Sequence, residues 1–178
     1  MRFKKIVTMV RNDDLRKDKT TMGIVDSQSV QNANSAEESG YDAGKKTAGI
    51  KRHIVVDTQG LPHAIVVTTA DVTDRDGALK MIALNLDTFS SVKKFLVDGG
   101  YSGENFANSV KELCGAEVEV VKRNELHKFV VLPRRWVVER SFGWLDNARR
   151  LWKNCERKLL NSLQMTILAF ISVLLKRF

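Results

Sequence analysis

Apolar residues in this chain fall into short β-branched runs through its first two thirds and into helical spacing toward its end. Residues 22–25 form a brief apolar run that stops at Asp26, which predicts a buried strand. Residues 53–57 and 61–69, rich in Val and Ile, flank a Thr-Gln-Gly turn and predict a hairpin. Asp74 is the predicted cap of a helix over residues 75–86. Residues 94–98 read as another strand, stopped by Gly99 and Gly100. Ser102 is the predicted cap of a helix over 103–113, with a last strand at 118–121. Pro133 opens a long helix carrying Trp136, Glu139, Phe142 and Trp144, and a further helix fills 157–177. That final stretch is interrupted by Asn161, Gln164 and Ser172 and falls short of the ~20 apolar residues a bilayer demands. It is expected to pack on the domain. Residues 1–20 are charged and read as an irregular residual linker. Residues 27–50 read as a long polar loop with a basic cluster, and a loop of that length is usually functional or mobile.

The order of strand, hairpin, helix, strand, helix, strand, helix predicts an α/β fold, a mixed sheet flanked by helices. It is similar to the ribonuclease H-like arrangement, in which the first and fourth strands are neighbours at the sheet centre. Asp26 and Asp98 would then end those two strands, and the late helix would carry Glu139 across the same region. The expected organisation is a linker at 1–20, a ribonuclease H-like domain at 21–156 and a C-terminal packing helix at 157–178.

Charge narrows the partners. Twenty-nine Lys and Arg face 21 Asp and Glu, a net +8 with a pI near 9.6. A domain this basic is expected to meet a polyanion, nucleic acid first, with an ordinary solvated surface as the alternative. Cys114 and Cys155 lie far apart without CxxC spacing, so reduced thiols in a cytoplasmic protein are expected. The N-terminal apolar run is too short, and too quickly followed by charge, for a secretory signal.

Glu139 lies among aromatic and arginine residues. A carboxylate there is costly unless a cation meets it, either an arginine or a metal. Phosphodiester chemistry can use two divalent ions roughly 3.5–4 Å apart. Asp26 would bridge both ions, with Asp98 on one and Glu139 on the other. Magnesium suits such hard oxygen donors. Spacing alone does not single out these three acids from 21.

Four blocks do. VDSQSV (25–30), YDAGKKTAGIKRH (41–53), VDGGYSG (97–103) and PRRWVVERSFGWL (133–145) resemble, in this order, the successive blocks of bacterial insertion-sequence transposases of the DDE class. The resemblance covers residues 22–156. It implies that 21–156 is a catalytic domain that cuts and rejoins DNA ends through Asp26, Asp98 and Glu139. It implies two magnesium ions, replaceable by manganese, held by those same acids. It implies double-stranded DNA as partner, at element ends and target, and a homo-oligomer or a pairing with an upstream-frame product. It places the protein in the bacterial cytoplasm, at the nucleoid, with no membrane. Many relatives carry a Tyr three residues before the position of Arg135 and a Lys seven after the glutamate; here those positions are Leu132 and Asp146. A DNA-end-binding region usual before this domain is absent from the sequence, so a frameshift product or truncated copy is expected.

Lys45, Lys46, Lys51 and Arg52 are expected to contact DNA phosphates, which would make binding salt-dependent. Arg134, Arg135 and Arg140 are expected to clamp phosphates near the metals, with ion pairing to Glu139 as the alternative for Arg140. Tyr101 either positions DNA or packs below its turn. Trp136 and Trp144 read as packing rather than base stacking, and His53 and His63 as structural. Glu104 is the rival third ligand. Two other functions remain in view: a non-catalytic DNA-binding, assembly or inhibitory module, and a general nuclease.

Overall fold

The computed structural model describes residues 2–121 and 135–176. The chain runs α1 (Arg2–Asp13), β1 (Met22–Gln31), β2 (Gly40–Asp42), β3 (Thr47–Val56), β4 (Pro62–Thr69), α2 (Asp74–Ala83), α3 (Leu86–Phe89) and β5 (Lys94–Val97). It continues through α4 (Glu104–Cys114), β6 (Glu117–Val120), α5 (Arg135–Asp146) and α6 (Leu159–Leu175). The strands form one sheet in the order β2-β3-β1-β5-β6, with β4 also on β3. β1, β3 and β4 are antiparallel neighbours, whereas β5 and β6 run parallel to β1. This is the mixed α/β sheet that the element order predicts, consistent with a ribonuclease H-like fold.

Alternation along the central strands divides the core in two, because successive strand side chains point to opposite faces. Ile24, Ile54 and Leu96 meet α1, α5 and α6 through Val7, Val138, Leu145 and Phe170. Val25, Val55 and Val97 face α2 and α4 through Met81, Ile82, Phe106 and Val110. Gly77 lets α2 lie directly on β3: a Cβ there would fall 2.0 Å from the His53 ring. Among the described residues no helix is long and apolar enough to cross a membrane.

The structure differs from expectation in the polar segments. Residues 1–20, expected to be irregular, contain α1, which buries Phe3, Val7 and Val10 at helical spacing. Its many exposed charges hide that stripe. Much of 27–50, expected to be a loop, is sheet: β1 continues to Gln31, and β2 and the start of β3 follow. Ser27, Gln28 and Ser29 carry little strand preference, but β3 supplies a continuous ladder opposite them. Thr73 rather than Asp74 caps α2, accepting from the Asp76 amide, and Gly103 rather than Ser102 precedes α4.

α1 is tied to the sheet through charge. Asp57 is fully buried after β3 and meets Arg11 and Arg16, the latter at 2.9 Å. The amides of Gln59 and Leu61 also donate to it, at 2.8 and 3.1 Å. Burial pushes the Asp57 carboxyl up, but the adjoining His63, the Gln59 amide and Arg16 outweigh it and hold the group at about 2. Its folded value is thus below its ordinary value of 3.8. Its stabilising contribution is therefore full above the ordinary value and lost as pH falls toward about 2. Arg11→Met should lower unfolding free energy in urea by roughly 3 kcal/mol at neutral pH. The deficit relative to wild type should shrink as pH drops below 4. An unchanged stability at pH 7 would show that α1 is held by its apolar stripe alone.

Candidate active site

β1 and β5 pair in parallel only from Met22↔Lys94 to Ile24↔Leu96. Continuing that register two residues sets Asp26 level with Asp98. β5 ends at Val97, so Asp26 stands where β1 loses its neighbour on that side while β3 continues on the other, opposite Ile54. Alternation gives Asp26 the same face as Ile24, the face covered by α5. Asp26 and Asp98 line one narrow crevice with Val121 and Val138. Each carboxylate is oriented locally: Asp26 accepts from the Ser27 amide at 2.8 Å and Asp98 from the Gly100 amide at 2.9 Å.

α5 reaches this crevice through Val138. Its buried face is Val137, Val138, Ser141, Phe142 and Leu145, an i, i+1, i+4, i+5, i+8 pattern. Glu139 follows Val138 and is exposed. Ser141 Oγ donates to Gly60 O at 3.3 Å and Arg140 Nη2 to Gln59 O at 2.9 Å, which fastens α5 onto the β3–β4 turn. Gly60 adopts φ 81°, and a Cβ there would press on Ser141 and Arg140. Among the described residues no three His, Cys, Asp or Glu side chains are gathered closely enough to hold a metal ion. The structure thus brings two of the three expected acids to one crevice, while Glu139 is exposed on α5, one residue after Val138. Glu104, the rival ligand, is exposed in the first turn of α4.

The expected phosphate contacts divide. Lys45 and Lys46 are exposed on the β2–β3 turn, where Lys46 has a positive φ of 50°. Lys45 Nζ reaches back to Ser27 Oγ at 3.1 Å and Asp74 at 3.7 Å. Lys51 is instead buried, bridging Asp42 and Asp74 at 3.0 Å each and donating to Val72 O at 2.8 Å. Burial pushes Lys51 down, but its bonds to Asp74 and Asp42 prevail and raise it. Arg52 is also wholly buried, donating to Leu151 O at 2.9 Å and Gln28 Oε1 at 3.4 Å. Burial lowers this guanidinium to about 10, partly offset by Asp146. Lys51 and Arg52 therefore serve the interior, and their expected surface contacts with DNA are corrected. Alternation hid this, because strand β3 is covered on both faces rather than one.

Tyr101 too is corrected toward packing. It is buried against Phe106, ring centroids 5.6 Å apart, and burial followed by the charges of Asp26 and Asp74 raises its phenol well above the ordinary value. It lies beneath the acids. Arg140 is stacked between Trp136 and Trp144, 4.6 and 4.9 Å from their rings, a helical i, i+4, i+8 sandwich. Trp136 remains 52% exposed, whereas Trp144 packs against the core as expected. Arg135 begins α5. Arg134 lies outside the described residues, as does Pro133. Asp146, at the position where many relatives carry Lys, accepts from Gln28 Nε2 at 2.8 and 3.1 Å. Sequence reasoning missed Gln28; its place two residues after Asp26, on the same strand face, was the available signal.

Comparison with known proteins gives two results. The family model described as "Transposase DDE domain" matches residues 17–174. Over 117 residues the chain is 32% identical to a Burkholderia cepacia protein named "Putative transposase for insertion sequence element IS402". That match covers 62% of this chain and 55% of the relative, so the chain corresponds to about half the relative's length.

The burial of Lys51 carries a clear consequence. Lys51→Met leaves Asp42 and Asp74 facing each other without their shared cation and should cost roughly 3 kcal/mol in urea unfolding. Lys45→Ala, at an exposed position, should change stability by less than about 0.5 kcal/mol. Equal, small effects from both would return Lys51 to the surface.

Proposed function

The chain belongs to the transposase DDE domain family, and from that premise we propose that it is the catalytic portion of an enzyme that cleaves DNA and transfers the cut strand. The reading is carried by one observation: Asp26 and Asp98 reach one crevice from adjacent parallel strands, with Glu139 next to a third crevice residue.

The donor set fits a divalent cation. Two carboxylates lining one crevice offer hard oxygen donors to a shared cation. Hard oxygens favour magnesium, with manganese acceptable to the same ligands. Asp26 and Asp98 would hold it, and Glu139 would complete a second position from α5. When bound, the ions neutralise charge developing at phosphorus and help align the attacking and leaving oxygens. The protein's own groups do the rest. The Ser27 and Gly100 amides fix the orientation of the two aspartates. The Gln59–Arg140 and Gly60–Ser141 bonds fix α5, and with it the position of Glu139. Lys45 and Lys46, on a turn anchored beside Ser27, draw the DNA backbone toward the acids. Water hydrolyses one phosphodiester, leaving a 3′ hydroxyl. That hydroxyl then attacks a target phosphodiester and displaces its leaving oxygen. DNA ends and target DNA are the proposed substrates, and a pair of chains or a partner supplied with the upstream region is the proposed assembly.

Asp26→Asn, Asp98→Asn and Glu139→Gln, each in the complete transposase, should abolish magnesium-dependent nicking of a plasmid carrying element ends. Circular dichroism should show the fold retained. Wild-type nicking rates in any one variant would remove that residue from the site. DNA binding without nicking by the wild-type protein would favour the assembly-module reading. Cutting without regard to element ends would favour a general nuclease.

Replacing Lys45 and Lys46 together with Ala should weaken binding of DNA of any sequence. It should also reduce the slope of log affinity against log salt by roughly 1–2. An unchanged slope, measured by fluorescence anisotropy, would place the phosphates elsewhere.

A further inference from the structure

Trp152 is 68% exposed, although both its flanks are held in place. Leu151 and Asn154 are buried on either side. The Asn154 amide donates to Gln31 O at 2.8 Å, and Asn154 O accepts from the Ala33 amide at 2.7 Å. Arg52, from below, holds the Leu151 carbonyl. The indole is therefore presented outward from a fixed backbone.

Trp152 also lines an open pocket, with Gln28, Ser29, Thr47, Asp146 and Lys153. Gln28 is on the same strand face as Asp26, about 7 Å farther along β1. Its amide is held between Asp146 and Arg52. One buried guanidinium thus fixes two walls of the pocket, Gln28 and the segment bearing Trp152. Arg52 Nε, also buried, has no hydrogen-bond partner among the described residues. Of the charged residues lining the pocket, Lys153 and Asp146 offset each other, and the buried Arg52 lies behind Gln28.

We propose that this pocket binds an unpaired nucleobase of a DNA strand whose phosphate lies at the acids, a reading that rests on the proposed function. The indole supplies a stacking face. The Gln28 amide and Asp146 carboxylate offer donor and acceptor atoms to a base edge, and Lys153 meets the backbone. A paired base cannot present its face to Trp152, so the pocket favours a single-stranded tail over a blunt end.

The test is fluorescence anisotropy with the full chain in EDTA, where no cleavage occurs. The probes are a fluorescein-labelled blunt duplex and the same duplex with a short single-stranded tail. Wild type should prefer the tailed probe. Trp152→Ala should lose roughly 5- to 150-fold in affinity for it, while blunt-duplex affinity changes less than about twofold. Trp152→Phe, which keeps a stacking face, should retain most of the preference. Equal losses on both probes, or no loss, would overturn the inference and leave the DNA reading intact. Failure of wild type to bind either probe would overturn both.

Discussion

The parallel pairing of β1 with β5 is the constraint on which the rest of this structure depends. It is short, only three residue pairs, yet its register sets two carboxylates side by side at the edge of a crevice. Neighbouring like charges are unfavourable, and a fold tolerates them where something else gains from the arrangement. The apolar residues just before them, Ile24 and Leu96 on one face and Val25 and Val97 on the other, anchor both strands in separate halves of the core. The acids are thereby held by packing that has nothing to do with their charge. That separation lets the polar ends carry chemistry without carrying stability.

The cationic side chains sort by depth. Arg11 and Arg16 fix the first helix through buried Asp57. Lys51 ties the β2–β3 region to α2 through Asp42 and Asp74, and Arg52 props Gln28 and the approach to Trp152. Arg140 is enclosed by two indoles. Among the described residues, Lys46 is exposed on the β2–β3 turn, Lys45 beside it turns its ammonium to Ser27, and exposed Arg75 donates to Gly100 O near Asp98. Net charge of +8 pointed to a polyanion, and of the Lys and Arg among the described residues only Arg11, Lys51 and Arg52 are buried.

The central strands, the hairpin, both crossover helices and the C-terminal helix were legible because their apolar runs match strand or helix periods. β1 beyond Asp26 was not legible, because Ser27, Gln28 and Ser29 join the sheet through backbone hydrogen bonds that side-chain composition does not report. α1 was obscured by charged residues around a narrow stripe of Phe3, Val7 and Val10. The proximity of Asp26 and Asp98 was expected from the likeness of the element order to a ribonuclease H-like sheet, in which the first and fourth strands are neighbours. The burial of Lys51, Arg52 and Tyr101 did not follow, because a residue's depth depends on what covers its strand, and here helices cover both faces. Gln28 was signalled only by its place two residues after Asp26, and Trp152 by nothing local; their meeting is a property of the Arg52 contacts.

The most direct test of the account is manganese binding by this chain, followed by electron paramagnetic resonance without DNA. The shared-crevice arrangement predicts saturable uptake that weakens by roughly tenfold or more in Asp26→Asn and in Asp98→Asn, since loss even of a ligand's supporting partner has that scale. Manganese affinity equal to wild type in either variant would contradict a common cation site built by the β1–β5 register.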